Sequence, residues 1–304
     1  MKPVTVEPTG PYDLGLSLRA AQSFAPSDPA HPAETSATLR SAVRLDGVPF
    51  LLEVRQVTAE PPRLEAEIPL AGRAATDRPQ PSPGSVESMA ARLVNADLDL
   101  RPFYELAADH PTMGPLSHEL HGLKAFRPST LFEMLVIAVI EQQISLIAAY
   151  RIRERLVQRF GDGVNGLTAF PTPASLAEAP LEALKECGVS RRKAEYIGGL
   201  AELLETGTID IESWAQFSDD DVREAVTAIR GFGRWSADYL LVRGLGRADV
   251  APADDLGIQT LLGKIFGDGR RLIPDEVRRV LEPFTPFRGL TVFYILAGSR
   301  LGLV

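Results

Sequence analysis

The stretch Ile229-Arg-Gly-Phe-Gly-Arg-Trp-Ser-Ala-Asp-Tyr239 constrains this chain more than any other. Two glycines, Gly231 and Gly233, flank one apolar residue, Phe232, just before a helix expected to start near Arg234. Glycine adopts backbone angles that other residues resist and lets another molecule approach the main chain. A helix N-terminus adds free N–H groups and the positive end of a dipole. Together they make a phosphate cradle that needs no lysine. Val222, Val226 and Ile229 mark an apolar helix ahead of the turn, and one helix beyond it Val250-Ala-Pro-Ala-Asp-Asp255 places two adjacent carboxylates. Taken alone, Gly-x-Gly is more often an ordinary tight turn and Asp-Asp a solvated cap. A phosphate grip followed by an acid points to a nucleic-acid enzyme.

Charge and length narrow the classes. The chain carries a formal charge of -8, which argues mildly against nucleic acid as a partner. Local charge decides, however, and Arg191, Arg192, Lys193, Arg230, Arg234 and Arg243 gather around the proposed site. A length of 304 residues exceeds one typical domain and allows a substantial core. The single cysteine, Cys187, excludes an internal disulfide, a four-cysteine zinc site and an iron–sulfur cluster held by this chain alone. The N-terminus lacks a basic-then-apolar signal pattern, and apolar runs such as 134–140 are far short of a membrane span. The expectation is a soluble, cytoplasmic monomer with no membrane contact.

Patterning predicts an α+β chain: a small N-terminal antiparallel β-sheet domain (1–84) followed by an all-α region (85–304). Residues 38–57 alternate in polarity around an Asp46-Gly47 turn, residues 63–70 alternate again, and a short helix fits 14–24. A loop is expected over 30–36 and a linker over Pro79-Gln-Pro-Ser-Pro-Gly84. From Ser85 onward the reading is helical, with starts at Pro102, Thr130 (a capping box with Glu133), Ser145, Thr172-Pro173, Ser190, Ser218 and Pro274. A turn is expected at Gly161-Asp-Gly163, and a last, almost wholly apolar helix over 288–299 is expected to be buried. No internal repeat emerges; 184–194 echoes the hairpin with one glycine and reads as a helix-turn-helix packing unit.

These residues resemble the helix-hairpin-helix DNA glycosylases, specifically the 3-methyladenine DNA glycosylase II group. The Gly231-Phe-Gly233 hairpin and Asp254-Asp255 carry the resemblance best. Pro11-Tyr-Asp13, the run Phe132 to Ser145, Phe170-Pro-Thr-Pro173 and Leu184 to Ala194 extend it over most of the chain. It implies that the all-α region has two helical subdomains, a helix-hairpin-helix subdomain over about 118–248 and a second from about 85–117 plus 249–304. It implies double-stranded DNA with alkylated bases as the partner and no required cofactor, with a sodium or potassium ion possible at the hairpin. Asp255 aligns with the family's catalytic aspartate, ahead of its neighbour Asp254.

The chemistry accounts for the residue types. Breaking an N-glycosidic bond builds positive charge on the sugar, which an ionised carboxylate stabilises. The base must first leave the stack, and aromatic faces bind flipped, often cationic bases. Trp235 and Tyr239, four apart on one helix face, are expected to line that pocket with Leu296 and Gln142. Without the resemblance, core packing would be the better reading for this pair. Gln143 stands where relatives commonly insert a leucine into the duplex. Gly231, Phe232, Gly233, Arg234 and Ser236 are expected to meet DNA. Ala20 and Leu296 align with aromatic walls of relatives, so a roomier pocket and a broad lesion range are expected. Trp235 replaces the lysine that gives bifunctional relatives their lyase step, so only base release is expected. The competing readings are a non-catalytic hairpin module that grips DNA backbone and a glycosylase for oxidised purines.

Overall fold

The computed structural model describes residues 2–24, 37–69 and 80–304. The loop expected over 30–36 and the first residue of the expected linker lie outside them.

Four strands, β1 (Val4–Val6), β2 (Thr38–Leu45), β3 (Val48–Ala59) and β4 (Pro62–Glu67), form an antiparallel sheet in the order β1-β4-β3-β2. Asp46 and Gly47 both take positive φ, 52° and 79°, the geometry that lets a two-residue turn follow the strand twist. The turn sets the register, pairing Val43 with Phe50 and Leu45 with Val48. Helix α1 (Leu14–Phe24) begins at Asp13, whose Oδ1 accepts from the Leu16 N–H at 2.7 Å. The Gln56 side chain donates to the Tyr12 carbonyl and accepts from the Leu14 N–H. The Pro11-Tyr-Asp13 signature is therefore a helix start pinned to the sheet.

Helix α2 (Pro83–Leu93) begins earlier than the sequence suggests, because Ser82 caps it and Pro83 takes the first turn, where a missing N–H costs nothing. Its Val86, Ala90 and Leu93 pack into the sheet's core. Apolar packing thus crosses the proline-rich stretch.

The remaining helices are α3 (Arg101–Ala107), α4 (Met113–Glu119), α5 (Leu131–Glu141), α6 (Leu146–Phe160), α7 (Pro173–Ala177), α8 (Leu181–Glu186), α9 (Arg191–Glu205), α10 (Asp219–Thr227), α11 (Arg234–Tyr239), α12 (Leu256–Phe266), α13 (Pro274–Leu281) and α14 (Arg288–Leu301). Thr130, Ser145, Ser190 and Ser218 each accept a main-chain N–H as helix caps. The expected box at Thr130 is shifted, since Glu133 reaches back to the N–H and hydroxyl of Ser129. The expected Gly161–Gly163 turn is instead the start of a small hairpin, β5 (Asp162–Val164) with β6 (Leu167–Ala169). Its turn is Asn165-Gly166, again with two positive φ values.

Two helical cores result. One gathers α5, α9, α10 and the hairpin; the other gathers α3, α4, α12, α13 and α14 with Leu16 and Ala20 of α1. The connection from α11 to α12 passes between them and carries Asp254 and Asp255. Among the described residues, no helix is long and apolar enough to cross a membrane.

Candidate active site

Helix α5 is buried along nearly its whole length, from Leu131 to Ile140, so its end is fixed by packing. At that end the chain turns sharply. Gln142 closes the helix, and Gln143 takes φ +58°, a left-handed conformation that costs a non-glycine residue energy. Lys193, from the first turn of α9, holds the turn: its Nζ donates to the carbonyls of Ile140 at 2.8 Å and Gln142 at 2.7 Å. These belong to the helix-end carbonyls that have no partner within the helix. Burial pushes the Lys193 amine below its ordinary pKa. Gln143 is left exposed at the tip, beside Ile144 and Ile147, of which Ile147 is 66% exposed.

The Gln142 side chain points the other way. Its Nε2 donates to the Gly231 carbonyl at 3.0 Å and approaches the Ser236 hydroxyl at 3.5 Å. Gln142 and Ser236, expected at the base and at the DNA, are thus joined in a clasp between α5 and the hairpin, with Ser236 almost fully buried. The hairpin's two glycines do different jobs. Gly231 takes φ +96°, and a Cβ there would run into the ring of Tyr196. Gly233 is extended and exposed, with open space where a Cβ would go. Phe232, expected at the DNA, turns into the helical core at 6% exposure. Of the six basic residues near the hairpin, Arg191, Arg192, Arg230 and Arg234 are exposed, whereas Lys193 and Arg243 turn inward.

Past the hairpin, four side chains form a continuous chain. The Trp235 Nε1 donates to Asp255 Oδ2 at 2.9 Å. The indole stacks on Tyr239, centroids 5.0 Å apart and 23° between planes. The Tyr239 hydroxyl donates to Glu141 Oε2 at 2.7 Å. Asp255 also caps α12, its Oδ1 accepting from the Ile258 N–H at 2.9 Å. Both carboxylate oxygens are therefore oriented, one by an indole and one by a helix N-terminus, and the residue stays partly open to solvent. Asp254 faces away toward Arg234, 3.9 Å from its Nε. Burial raises the Glu141 carboxyl and pushes the Tyr239 phenol well up. Nothing in the sequence singled out Glu141; the residues that now surround it come from three separate helical segments.

Tyr239 and Glu141 also border a cavity of about 430 Å3 between α1, β2, α5, α6 and the segment after the hairpin. That volume falls in the range of small-ligand sites, roughly 300–1,000 Å3. Phe24 and Phe293 line it. They put aromatic faces one turn from Ala20 and Leu296, so the wall is not stripped of aromatics as the sequence suggested. Ala20 is itself buried, and Leu296 packs against the C-terminal core rather than along the cavity.

A fold of this kind, with a glycine hairpin followed by a capped aspartate, defines a base-excision class. Residues 136–286 match the family described as HhH-GPD superfamily base excision DNA repair protein, and the chain belongs to that superfamily. Among its relatives is a DNA-3-methyladenine glycosylase of Bacillus subtilis, 30% identical over 203 residues, which are 66% of this chain and 67% of that protein. The structure of a 3-methyladenine DNA glycosylase from Archaeoglobus fulgidus superposes with a TM-score of 0.81 at 26% identity, over 99% of both chains. That of the Schizosaccharomyces pombe enzyme Mag1, in complex with abasic DNA, superposes with a TM-score of 0.59 at 28% identity, covering 67% of this chain and 98% of that one.

Proposed function

We propose that this protein is a monofunctional DNA glycosylase that extrudes alkylated bases, 3-methyladenine and 7-methylguanine among them, and hydrolyses the N-glycosidic bond to leave an abasic site. The observation that carries the reading is the Asp255 carboxylate, fixed by the Trp235 indole at the start of α12, one helix beyond the hairpin. The three relatives described above are each named for 3-methyladenine, which supports the substrate class.

In this reading Gly233 and Arg234 bring exposed backbone and charge to a phosphate, which fixes register without reading sequence. Gln143, at the exposed tip, fills the space left by the extruded nucleotide. The base enters beside Tyr239, where the stacked Trp235–Tyr239 pair and the cavity's aromatic wall receive a planar, often cationic ring. As the glycosidic bond lengthens, the electron pair leaves with the base and positive charge grows on the sugar. Asp255 stabilises that charge and orients the water that attacks it. The carboxylate moves little in the process because two donors already hold it. A sodium or potassium ion at the hairpin belongs to the same proposal. The Gly231 carbonyl already accepts from Gln142, but a carbonyl oxygen has a second lone pair, so the loop's main-chain oxygens suit a monovalent cation that would help hold a phosphate.

Trp235 carries no amine, so no Schiff base forms at that position and strand cleavage is not expected. The test is incubation with methylated duplex DNA, reading released bases directly and strand breaks with and without alkaline treatment. Base release with breaks only after alkali is the expected result. Breaks without alkali would contradict monofunctionality, and no release of any alkylated base would remove the reading altogether.

A further inference from the structure

The cavity beside Tyr239 is not purely apolar. After α11 the helix widens into a π-helical turn, Leu240–Gly244, in which the Leu245 N–H reaches back to the Leu240 carbonyl at 2.9 Å. Such widened turns recur at functional sites, because they re-aim a side chain without breaking the helix. Arg243 lies within this turn. It lines the cavity, with its guanidinium 6.0 Å from the centre of the Tyr239 ring. Its Nε is buried and has no hydrogen-bond partner among the described residues. Among the described residues, no other buried and unpaired side-chain polar atom belongs to a residue lining this cavity. That Nε is enclosed by protein, so contact with an occupant of the cavity falls to the terminal nitrogens of the guanidinium. Glu141 lies on the same wall, held by the Tyr239 hydroxyl. The wall therefore carries both a donor group and an acceptor group.

We propose that Arg243 is a specificity-determining residue that donates to the carbonyl of an extruded 6-oxopurine, such as 7-methylguanine. The inference rests on the glycosylase reading above. A 6-oxopurine carries a carbonyl acceptor next to an N–H donor, complementary to Arg243 beside Glu141. The carbonyl has two lone pairs and suits the several donors of a guanidinium. A 6-aminopurine such as 3-methyladenine places an amino group there instead, and donor meets donor. Arg243 thus adds a polar criterion to a pocket that stacking alone would leave indifferent to the base.

The test uses the intact protein on one sample of methylated duplex DNA, which contains both lesions, and reads the ratio of initial release rates, 7-methylguanine to 3-methyladenine, by chromatography. Arg243→Met is expected to lower that ratio at least fivefold, with Arg243→Lys between it and the wild type. A ratio equal to the wild-type value in both variants would overturn the proposal, even if both rates fall, because a merely structural arginine would slow both lesions together. Should Arg243→Met fail to fold, the ratio for Arg243→Lys decides by the same comparison. A wild-type protein that releases neither base would overturn the functional reading instead, which separates the two failures.

Discussion

Trp235 uses its only hydrogen-bond donor on Asp255, which gives a substitution there a defined signature. Trp235→Phe keeps an aromatic ring against Tyr239 and removes the N–H. Base release is expected to slow roughly tenfold, about 1.4 kcal/mol of transition-state stabilisation, with DNA affinity little changed. Single-turnover rates beside an equilibrium binding curve check this; equal losses in both would mean that the indole serves packing alone. Trp235, Tyr239 and Asp255 were legible as residue types at a spacing. What the spacing cannot reveal is which atoms meet. The indole was expected to face the base; that its edge also meets the acid is what the spacing does not announce. Glu141 was invisible because an acidic residue at the end of an apolar helix reads as a solvated terminus until the hairpin is folded against it.

At the scale of elements, the caps were legible because they are local: Thr130, Ser145, Ser190 and Ser218 each bond within three residues. The clasps were not, because Lys193 and Gln142 reach across more than fifty residues of sequence. Lys193→Met removes the two bonds that hold the left-handed turn at Gln143. It is expected to slow release from paired duplex lesions by about tenfold and from single-stranded lesions much less, since only the duplex leaves a gap to fill. Parallel rates on the two substrates check it, and equal losses would reduce the turn to a structural detail. The hairpin glycines separate in the same way. Gly231→Ala meets both a positive φ and the Tyr196 ring, so it should lower stability by about 2 kcal/mol or more, whereas Gly233→Ala should stay within about 1 kcal/mol of wild type. Thermal or denaturant unfolding of the two variants decides between them.

Across the whole molecule, the sheet and the helices are bound by contacts that composition and periodicity do not announce. Lys124 is fully buried and donates to the carbonyls of Thr9 and Ala96, on either side of the proline-rich stretch. Burial lowers its amine from 10.5 to about 8. A depressed lysine means that the unfolded chain binds more protons than the native one between those values, so Lys124 makes stability rise with pH over that window. Lys124→Met should lack that rise; denaturant unfolding from pH 8 to pH 10, read as the difference from wild type, checks the sign. The α+β class and the antiparallel hairpin at Asp46-Gly47 were plain in the sequence. The placement of α2 in the sheet's core was not, because an amphipathic helix does not state which neighbour will cover it. In the proposed mechanism Asp255, oriented by Trp235 and the start of α12, assists bond cleavage. Single-turnover release from methylated duplex DNA by Asp255→Asn and Asp254→Asn, with DNA binding measured alongside, tests that role. Asp255→Asn is expected to bind DNA as well as wild type and to release base at least roughly 100-fold more slowly, while Asp254→Asn keeps most of the rate. Near-wild-type release by Asp255→Asn would contradict it.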